Sequence, residues 1–355
     1  MRIDNLEGNT LALIAGEKGI LAVDETVPTL TRRFDALGIK STEQSRRAYR
    51  EMLVGTPNIA EFISGVILHD ETIRQSSSDG IRFPEFLANR GILPGIKVDR
   101  GAKPLAGSPN ELVTEGLDGL RDRLSEYQAM GARLAKWRAV IHISDTIPSP
   151  ACVSANTNAL ARYAALSQEQ GLVPIVEPEV LMDGSHTIER CEEVTDIVLH
   201  AVFNALFKQN VVLEGMLLKP NMIIAGKTCA RQASMHEVAT ATLRCLRRHV
   251  PAAVPVIVFL SGGQDAQDAT ARLNSINRKR GPKPWRITFS YGRALQDPAL
   301  EAWAGCDGNL NAATHAVYRR ARLNGAASVG KYTDEMESAS LCTGDPTHRH
   351  DWSDG

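Results

Sequence analysis

A strand–helix–strand pattern in the middle of the chain indicates the fold: LVPIVEPE (172–179), IERCEEVTDIVLHAVFNALF (188–207) and GMLLKPN (215–221). The first and third stretches are short apolar runs that suit strands buried on both faces of a parallel sheet. The stretch between them repeats apolar side chains at a helical period, which is typical of a helix with one buried face. One strand–helix–strand unit of a parallel sheet is therefore predicted.

The same alternation extends in both directions from this unit. Eight such units predict the α/β class and a closed (β/α)8 TIM barrel; the alternative is an open doubly wound sheet. No Gly-x-Gly-x-x-Gly pattern follows the first run, so dinucleotide binding is not predicted. One helical stretch, STEQSRRAYREML (41–53), is expected to open with a capping box from Ser41 to Gln44. The six further apolar runs are GILAVDE (19–25), SGVILHDE (64–71), PGIKVD (94–99), ARLAKWR (132–138), VPVIVFLSGG (254–263) and WRITFSYGR (285–293).

Composition excludes several classes of protein. The 355 residues are 43% hydrophobic and 23% charged, which is typical of a globular protein. Forty basic and 41 acidic side chains leave a net charge of −1, so no basic field favours nucleic acid. The start, MRIDNLEGNT, has no apolar core of a signal peptide, and the apolar run at 250–263 is too short to span a bilayer. The six scattered cysteines form no metal or redox motif, so a cytoplasmic protein without a membrane segment is expected.

One folded domain with a tail is predicted. No compositional break or long linker occurs between residues 10 and 330, so residues 1–332 are expected to form the barrel with an N-terminal extension. Residues 333–355 are polar and acidic and are expected to form a flexible C-terminal tail. The nine histidines show no clustered ligand spacing, so no metal site is predicted.

Charged residues stand at the predicted carboxyl ends of the strands, where barrel enzymes carry their chemistry. Each one alone is explained as well by a solvated loop charge, but charges within apolar strands are costly unless they are paired or functional. Their repetition at one mouth therefore favours an active site. The residues concerned are Asp24, Glu25, Lys97, Asp99, Lys136, Arg138, Glu177, Glu179, Lys219, Ser261 and Arg293.

Lys219 is the strongest candidate for a nucleophile. It follows three apolar residues and precedes Pro220, so its stem is expected to begin inside the barrel. A lysine in dry surroundings near other cations loses its proton more readily, and its amine can then attack a carbonyl to give a Schiff base. The alternative is a structural salt bridge between Lys219 and Glu177.

The two glutamates of VEPE can supply the proton transfers that imine formation needs. One of them, Glu177 or Glu179, is expected to face the mouth and the other a neighbouring strand. A structural ion pair is the alternative for Glu179.

Two loops have the composition of a phosphate site. Small residues in LSGGQ (260–264) let backbone N–H groups approach an anion, and Arg293 in SYGRAL (290–295) carries a fork suited to phosphate oxygens. Loops after the seventh and eighth strands commonly hold phosphate in barrels, although a simple turn would also explain Ser-Gly-Gly. Lys97 and Arg33 are candidates to hold a second anion across the mouth.

The motifs together resemble class I fructose-bisphosphate aldolase over residues 15–332. The resemblance implies a (β/α)8 barrel, usually a homotetramer, that cleaves fructose 1,6-bisphosphate reversibly to dihydroxyacetone phosphate and glyceraldehyde 3-phosphate without a metal or other cofactor. The pathway it implies is glycolysis, gluconeogenesis or carbon fixation. The collinear motifs are AVDET (22–26), GIKVD (95–99), AKWR (135–138), VEPE (176–179), LLKPNM (217–222), LSGGQ (260–264) and SYGRAL (290–295).

The resemblance also implies a role for each site residue. Lys219 would form the Schiff base, Asp24 would act on the C4 hydroxyl as a base or by orienting it, and Glu177 would transfer protons. Lys136 and Glu179 would tune the site. The C1 phosphate would be held by Ser261, Gly262, Gly292 and Arg293, and the C6 phosphate end by Lys97, Arg33, Arg138, Thr26 and Thr29.

The chain departs from the family pattern in two places. Pro28 stands where the family commonly has glycine, which stiffens the loop after the first strand, although Thr26 and Thr29 keep the hydroxyls. Many members end in a tyrosine that assists proton exchange, but the last tyrosine here is Tyr332. Two alternatives remain at this point: the same chemistry on another ketose phosphate, such as sedoheptulose 1,7-bisphosphate, and a non-catalytic phosphosugar-binding scaffold.

Overall fold

The computed structural model of the chain describes residues 3–13 and 15–338, and within them eight parallel strands close into a barrel. The strands, in chain order, are β1 (Gly19–Val23), β2 (Ile63–Leu68), β3 (Leu93–Lys97), β4 (Ala102–Pro104), β5 (Leu112–Thr114), β6 (Leu134–Ile141), β7 (Val173–Val180), β8 (Leu217–Leu218), β9 (Val256–Phe259) and β10 (Arg286–Tyr291). The barrel order is β1-β10-β9-β8-β7-β6-β3-β2, and β4 pairs with β5 in a separate antiparallel hairpin. The predicted TIM barrel is confirmed, and the open-sheet alternative is wrong.

Helices follow the barrel strands and pack around them. Their bounds are α1 (Ile3–Leu13), α2 (Val27–Asp35), α3 (Glu43–Val54), α4 (Asp70–Ile73), α5 (Phe83–Ala88), α6 (Leu120–Ala129), α7 (Pro150–Glu169), α8 (Ile188–Lys208), α9 (Met235–His249), α10 (Ala266–Arg278), α11 (Arg293–Trp303), α12 (Leu310–Ser328) and α13 (Glu335–Ser338). No described helix combines the length and the apolar character needed to cross a membrane.

The apolar core has two parts because the strands are buried on both faces. The larger part lies between the outer face of the barrel and the surrounding helices. The smaller part fills the inside of the barrel at the end where the strands begin, the lower end. There Ile20, Leu134 and Leu217 from three strands meet Leu6 and Leu13 of α1. Helix α1 therefore closes the end of the barrel at which the strands begin.

Strands β6 and β7 run further than the sequence predicts. They pair from Leu134↔Val173 to Ile141↔Val180, so the charged residues of AKWR and VEPE lie within the strands and not at their ends. Opposite charges face each other in this register, Arg138 next to Glu177. The strands can continue past these residues because each buried charge is paired.

The predicted capping box is one residue out of place. Helix α3 begins after Thr42, whose side chain accepts from the Ser45 amide at 3.0 Å, while Ser45 Oγ accepts from the Thr42 amide at 2.8 Å. Ser41 and Gln44 fit the sequence pattern but do not form the box. Thr42 has the extended backbone of an N-cap, and a serine at the third helical position can reach back as a glutamine would.

The structure describes only residues 333–338 of the predicted tail, and the rest of it lies outside the described residues. In this part the Glu337 carboxylate accepts from Arg320 Nη1 at 2.7 Å and from the Tyr332 hydroxyl at 3.0 Å. These contacts attach the beginning of the segment to α12. The division of the chain into a domain at 1–332 and a flexible tail stays a prediction.

Candidate active site

A cavity of 760 Å³ opens where the barrel strands end. Every residue that the sequence predicts for the site lines it, although these residues come from seven strands or the loops that follow them. They are Asp24, Thr26, Thr29, Arg33, Lys97, Lys136, Arg138, Glu177, Glu179, Lys219, Ser261, Gly262, Gly292 and Arg293.

Two lysines and two carboxylates form a buried network of ion pairs at the base of the cavity. Lys136 Nζ lies 2.8 Å from Asp24 Oδ2 and 2.8 Å from Glu177 Oε2. Lys219 Nζ lies 3.3 Å from Glu177 Oε1. Lys136, Glu177 and Lys219 are each at most 4% exposed, so these charges interact in a medium of low dielectric. These ion pairs connect β1, β6, β7 and the end of β8.

Glu177 has a cation beside each of its oxygens. Its Oε2 lies 2.8 Å from Lys136 Nζ, without hydrogen-bond alignment, and its Oε1 lies 3.3 Å from Lys219 Nζ. The carboxylate is therefore placed between the two lysines, where it can exchange protons with a group that binds at Lys219.

The ionisation of the lysines differs because their surroundings differ. Burial lowers the pKa of Lys219, and the charge of Lys136 lowers it further, against the opposing effect of Glu177. Burial also acts to lower the pKa of Lys136, but Asp24 and Glu177 outweigh burial and raise it above its ordinary value. Lys136 thus stays a cation, while Lys219 loses its proton more readily than an ordinary lysine, as an amine nucleophile must.

The carboxylates stay ionised. Burial acts to raise the pKa of Asp24, but the charges of Lys136 and Lys219 outweigh it and hold the pKa well below its usual range. The same balance of burial against Lys136 and Lys219 lowers the pKa of Glu177. Both groups are therefore hydrogen-bond acceptors at neutral pH.

Both glutamates of VEPE face the cavity, so the expectation that one of them faces a neighbouring strand is wrong. Residues two apart in a strand share a face, and Glu177 and Glu179 both belong to β7. Glu179 Oε2 lies 2.5 Å from Arg138 Nε. Arg138 is 39% exposed in its side chain, so this pair is open to the mouth.

A second group of cations and hydroxyls lies on the side of β1 and β3. Lys97 Nζ lies 2.5 Å from Asp99 Oδ1, which also accepts from the Gly101 amide at 3.0 Å. Thr26 and Thr29 stand at the start of α2 with their hydroxyl oxygens 3.0 Å apart. Pro28 occupies the first turn of α2, where proline is tolerated because its missing N–H would have no helical partner.

Arg33 is held by the protein on two sides. Its guanidinium lies 2.8 Å from Glu25 Oε1 and 2.8 Å from Asp297 Oδ1, and it donates to Gln296 Oε1 at 2.8 Å. These contacts join the loop after β1 to α11. Arg33 lines the cavity, but most of its N–H groups are directed at these partners and not into the cavity.

Two glycine turns form the opposite side of the cavity. Gly262 and Gly263 have φ of +59° and +89°, a conformation that favours glycine, and the Gln264 amide closes the turn on the Ser261 carbonyl at 2.9 Å. Gly292 precedes α11, whose first residue is Arg293. Backbone N–H groups and a helix N-terminus beside an arginine suit an anion.

Sequence reasoning gave no specific role to four residues that the structure brings to the site. Arg32 and Ser290 line the cavity, and Asp99, noted only as a strand-end charge, anchors Lys97. Lys227 lies beside the turn at Gly263. Asp99 and Ser290 carried a signal in the sequence, since both stand near a predicted strand end, whereas Arg32 and Lys227 do not. All six tyrosines of the sequence are described, and none lines the cavity.

The fold and the site together define a class: a (β/α)8 enzyme of carbonyl chemistry, with a buried lysine amine beside a carboxylate and cationic groups on two sides of the cavity. Comparison with known proteins agrees. The family model described as fructose-bisphosphate aldolase class-I matches residues 5–348. The chain belongs to the class I fructose-bisphosphate aldolase family, as the motifs indicated, and its members are lyases that work through a lysine Schiff base without a metal ion.

Individual relatives are similar over most of their length. A probable fructose-bisphosphate aldolase class 1 of Xanthomonas axonopodis pv. citri is 56% identical, over 94% of this chain and 99% of that protein. Fructose-bisphosphate aldolase 4, cytosolic, of Arabidopsis thaliana is 49% identical, over 90% of this chain and 81% of that protein. The solved structure of Plasmodium falciparum fructose-bisphosphate aldolase, in complex with TRAP and an inhibitor, superposes with a TM-score of 0.91 at 45% identity, over 93% of this chain and 95% of that one.

Proposed function

We propose that the protein cleaves fructose 1,6-bisphosphate reversibly into dihydroxyacetone phosphate and glyceraldehyde 3-phosphate through a Schiff base on Lys219. The observation that carries this proposal is the buried Lys219 amine, 3.3 Å from Glu177 and with a lowered pKa, at the base of a cavity with cationic groups on two sides. A bisphosphate requires cationic groups on both sides of the cavity, one side for each phosphate. The ketose carbonyl lies between the phosphates, where the Lys219 amine can attack it.

Imine formation begins with attack of the neutral Lys219 amine on the ketose carbonyl carbon. The carbonyl oxygen takes up a proton to give a carbinolamine, and loss of that hydroxyl as water leaves a protonated imine. Glu177 lies 3.3 Å from the Lys219 amine and is a buried carboxylate beside it, so it is the group that accepts and returns these protons.

Cleavage of the C3–C4 bond follows from the imine. The C4 hydroxyl gives up its proton, and its oxygen forms the aldehyde carbonyl as the C3–C4 electron pair moves into the iminium to give an enamine. Asp24, ionised and held by Lys136, accepts the hydroxyl proton or orients it. The enamine is then protonated at C3, and water hydrolyses the resulting imine to dihydroxyacetone phosphate and the free amine.

The two phosphates are assigned to opposite sides of the cavity. Ser261, Gly262, Gly292 and Arg293 would hold the C1 phosphate through backbone N–H groups and a guanidinium. The C6 phosphate would lie toward Lys97, Arg138, Thr26 and Thr29. Arg33, from α2, would lie on the same side of the cavity. Glu179 would fix Arg138, and Lys136 would keep Asp24 and Glu177 charged.

The wider setting is proposed from the family. We infer a cytoplasmic homotetramer that takes part in glycolysis, gluconeogenesis or carbon fixation and needs no cofactor. The support for the compartment is the Arabidopsis relative described as cytosolic. Gel filtration with light scattering tests the tetramer.

Borohydride trapping tests the proposed mechanism directly. The protein is incubated with fructose 1,6-bisphosphate, reduced, digested and mapped by mass spectrometry; the adduct is expected on Lys219 alone. In Lys219→Met the adduct is lost and the cleavage rate falls by at least about 10³-fold, because the covalent route is removed. Sugar binding without any adduct in the unaltered protein would replace the lyase proposal with a phosphosugar-binding scaffold.

A further inference from the structure

Lys227 lies beside Gly263, the residue that follows Ser261 and Gly262 of the cavity lining, and it has no assigned role. It belongs to the segment that follows β8, eight residues beyond Lys219. A Cβ atom placed on Gly263 would lie 3.1 Å from Lys227 Nζ and 3.1 Å from Arg293 Nη2. The ammonium and the guanidinium therefore converge on the same point above the glycine turn.

The backbone around Lys227 is fixed by its neighbours. The amides of Gly226, Lys227 and Thr228 donate to the carbonyls of His186, Met182 and Gly184 at 2.8, 2.8 and 3.0 Å. A Cβ atom on Gly226 would lie 2.3 Å from the Gly184 carbonyl oxygen, so the close contact between the two segments requires glycine there. The base of the Lys227 side chain is thus held in place, while its end is partly exposed.

The ammonium of Lys227 has one acidic partner, Asp183, at 3.1 Å. Both side chains are largely exposed, 42% for Lys227 and 64% for Asp183, so their ion pair is weak and easily exchanged. A phosphate dianion next to Gly263 would offer a stronger partner, since Arg293 already faces that position.

We propose that Lys227 is a further phosphate-binding residue, which acts with Arg293 on the phosphate attached to carbon 1 of the ketose and so contributes to specificity for that end of the substrate. The inference rests on the proposed function. In the condensation direction this phosphate is the one that dihydroxyacetone phosphate carries, whereas glyceraldehyde 3-phosphate brings the phosphate of the other end.

The condensation reaction therefore separates the two phosphate sites. Lys227→Met keeps the side-chain stem and the backbone hydrogen bonds but removes the charge. We expect the KM for dihydroxyacetone phosphate to rise about tenfold, as for loss of one charge-assisted contact, with kcat and the KM for glyceraldehyde 3-phosphate unchanged. Lys227→Arg is expected to restore the lower KM. Lys208→Met, the same exchange at an exposed lysine at the end of α8, is the matched control.

Two results would overturn the inference. An unchanged KM for dihydroxyacetone phosphate in Lys227→Met would show that the ammonium makes no contact with the phosphate. An equal rise in both KM values would indicate that the charge of Lys227 attracts anions to the whole cavity and does not contact one phosphate. Borohydride trapping on Lys219, measured at saturating dihydroxyacetone phosphate, separates the two proposals: trapping with unchanged KM values defeats only the role of Lys227, and no trapping in the unaltered protein defeats the proposed function as well.

Discussion

At the scale of single residues, Lys136 has the largest influence on the charges around it. It lies 2.8 Å from carboxylate oxygens of Asp24 and Glu177, and its own charge lowers the pKa of Lys219. One buried cation thus keeps two acceptors ionised and makes the neighbouring amine easier to deprotonate. For Lys219, burial is the larger cause of the lowered pKa, and the charge of Lys136 adds to it.

In Lys136→Met, the rate of borohydride trapping on Lys219 is expected to rise with pH only at a higher pH than in the unaltered protein. Loss of the neighbouring cation raises the pKa of Lys219, while Glu177 keeps Lys219 as its remaining cationic partner, so less neutral amine is present at a given pH. The initial rate of borohydride-trapped adduct on Lys219 is measured as a function of pH in the variant and in the unaltered protein.

Lys208→Met again serves as the control, and its profile is expected to match that of the unaltered protein. Because removal of one partner from a buried ion pair costs about 3–5 kcal/mol, circular dichroism must first establish that Lys136→Met is folded. A folded variant with an unshifted profile would contradict the role given to Lys136.

At the scale of elements, the positions of the strands could be predicted from the sequence but not all of their ends. The apolar runs located the eight barrel strands, and the charges after them marked the mouth. β6 and β7 continue to Ile141 and Val180 because the charge of one strand is neutralised by the other, which a single strand considered alone does not reveal. The β4–β5 hairpin was missed because its strands have three residues each.

Helix α1 provides a prediction with its own control. Leu6 is fully buried at the lower end of the barrel, whereas Leu11 of the same helix is 61% exposed. We expect Leu6→Ala to lower the free energy of unfolding by about 3 kcal/mol, because it leaves a cavity in the lower core. Leu11→Ala is expected to change that free energy by less than about 0.5 kcal/mol. Urea unfolding followed by circular dichroism measures both, and equal effects would contradict the packing of α1 described here.

At the scale of the whole molecule, the number of strand–helix units favoured the closed barrel over an open doubly wound sheet, and the structure confirms the barrel. Sequence reasoning did not assign the extension before β1 to either end of the barrel, because the apolar residues of α1 would suit any exposed core surface. It also missed Lys227, since that lysine reaches Gly263 only after the segments that follow β7, β8 and β9 pack together. Contacts between distant segments decide such positions.

Removal of metal ions should leave the activity unchanged. The family works without a metal, and the proposed mechanism assigns the electron sink to the iminium on Lys219. The cleavage rate is measured before and after dialysis against EDTA, with a metal-dependent lyase as the positive control for chelation. Loss of activity that added divalent metal restores would contradict the mechanism.

Helix α1 also has a consequence for the movement of molecules through the enzyme. Its leucines close the end of the barrel where the strands begin, so the described cavity is reached from the opposite end, the mouth beside Arg138 and Arg293. Under the proposed mechanism, substrate and both products then share one passage, and the aldehyde leaves while the other product is still covalently attached. An anion bound at the mouth would obstruct both entry and exit.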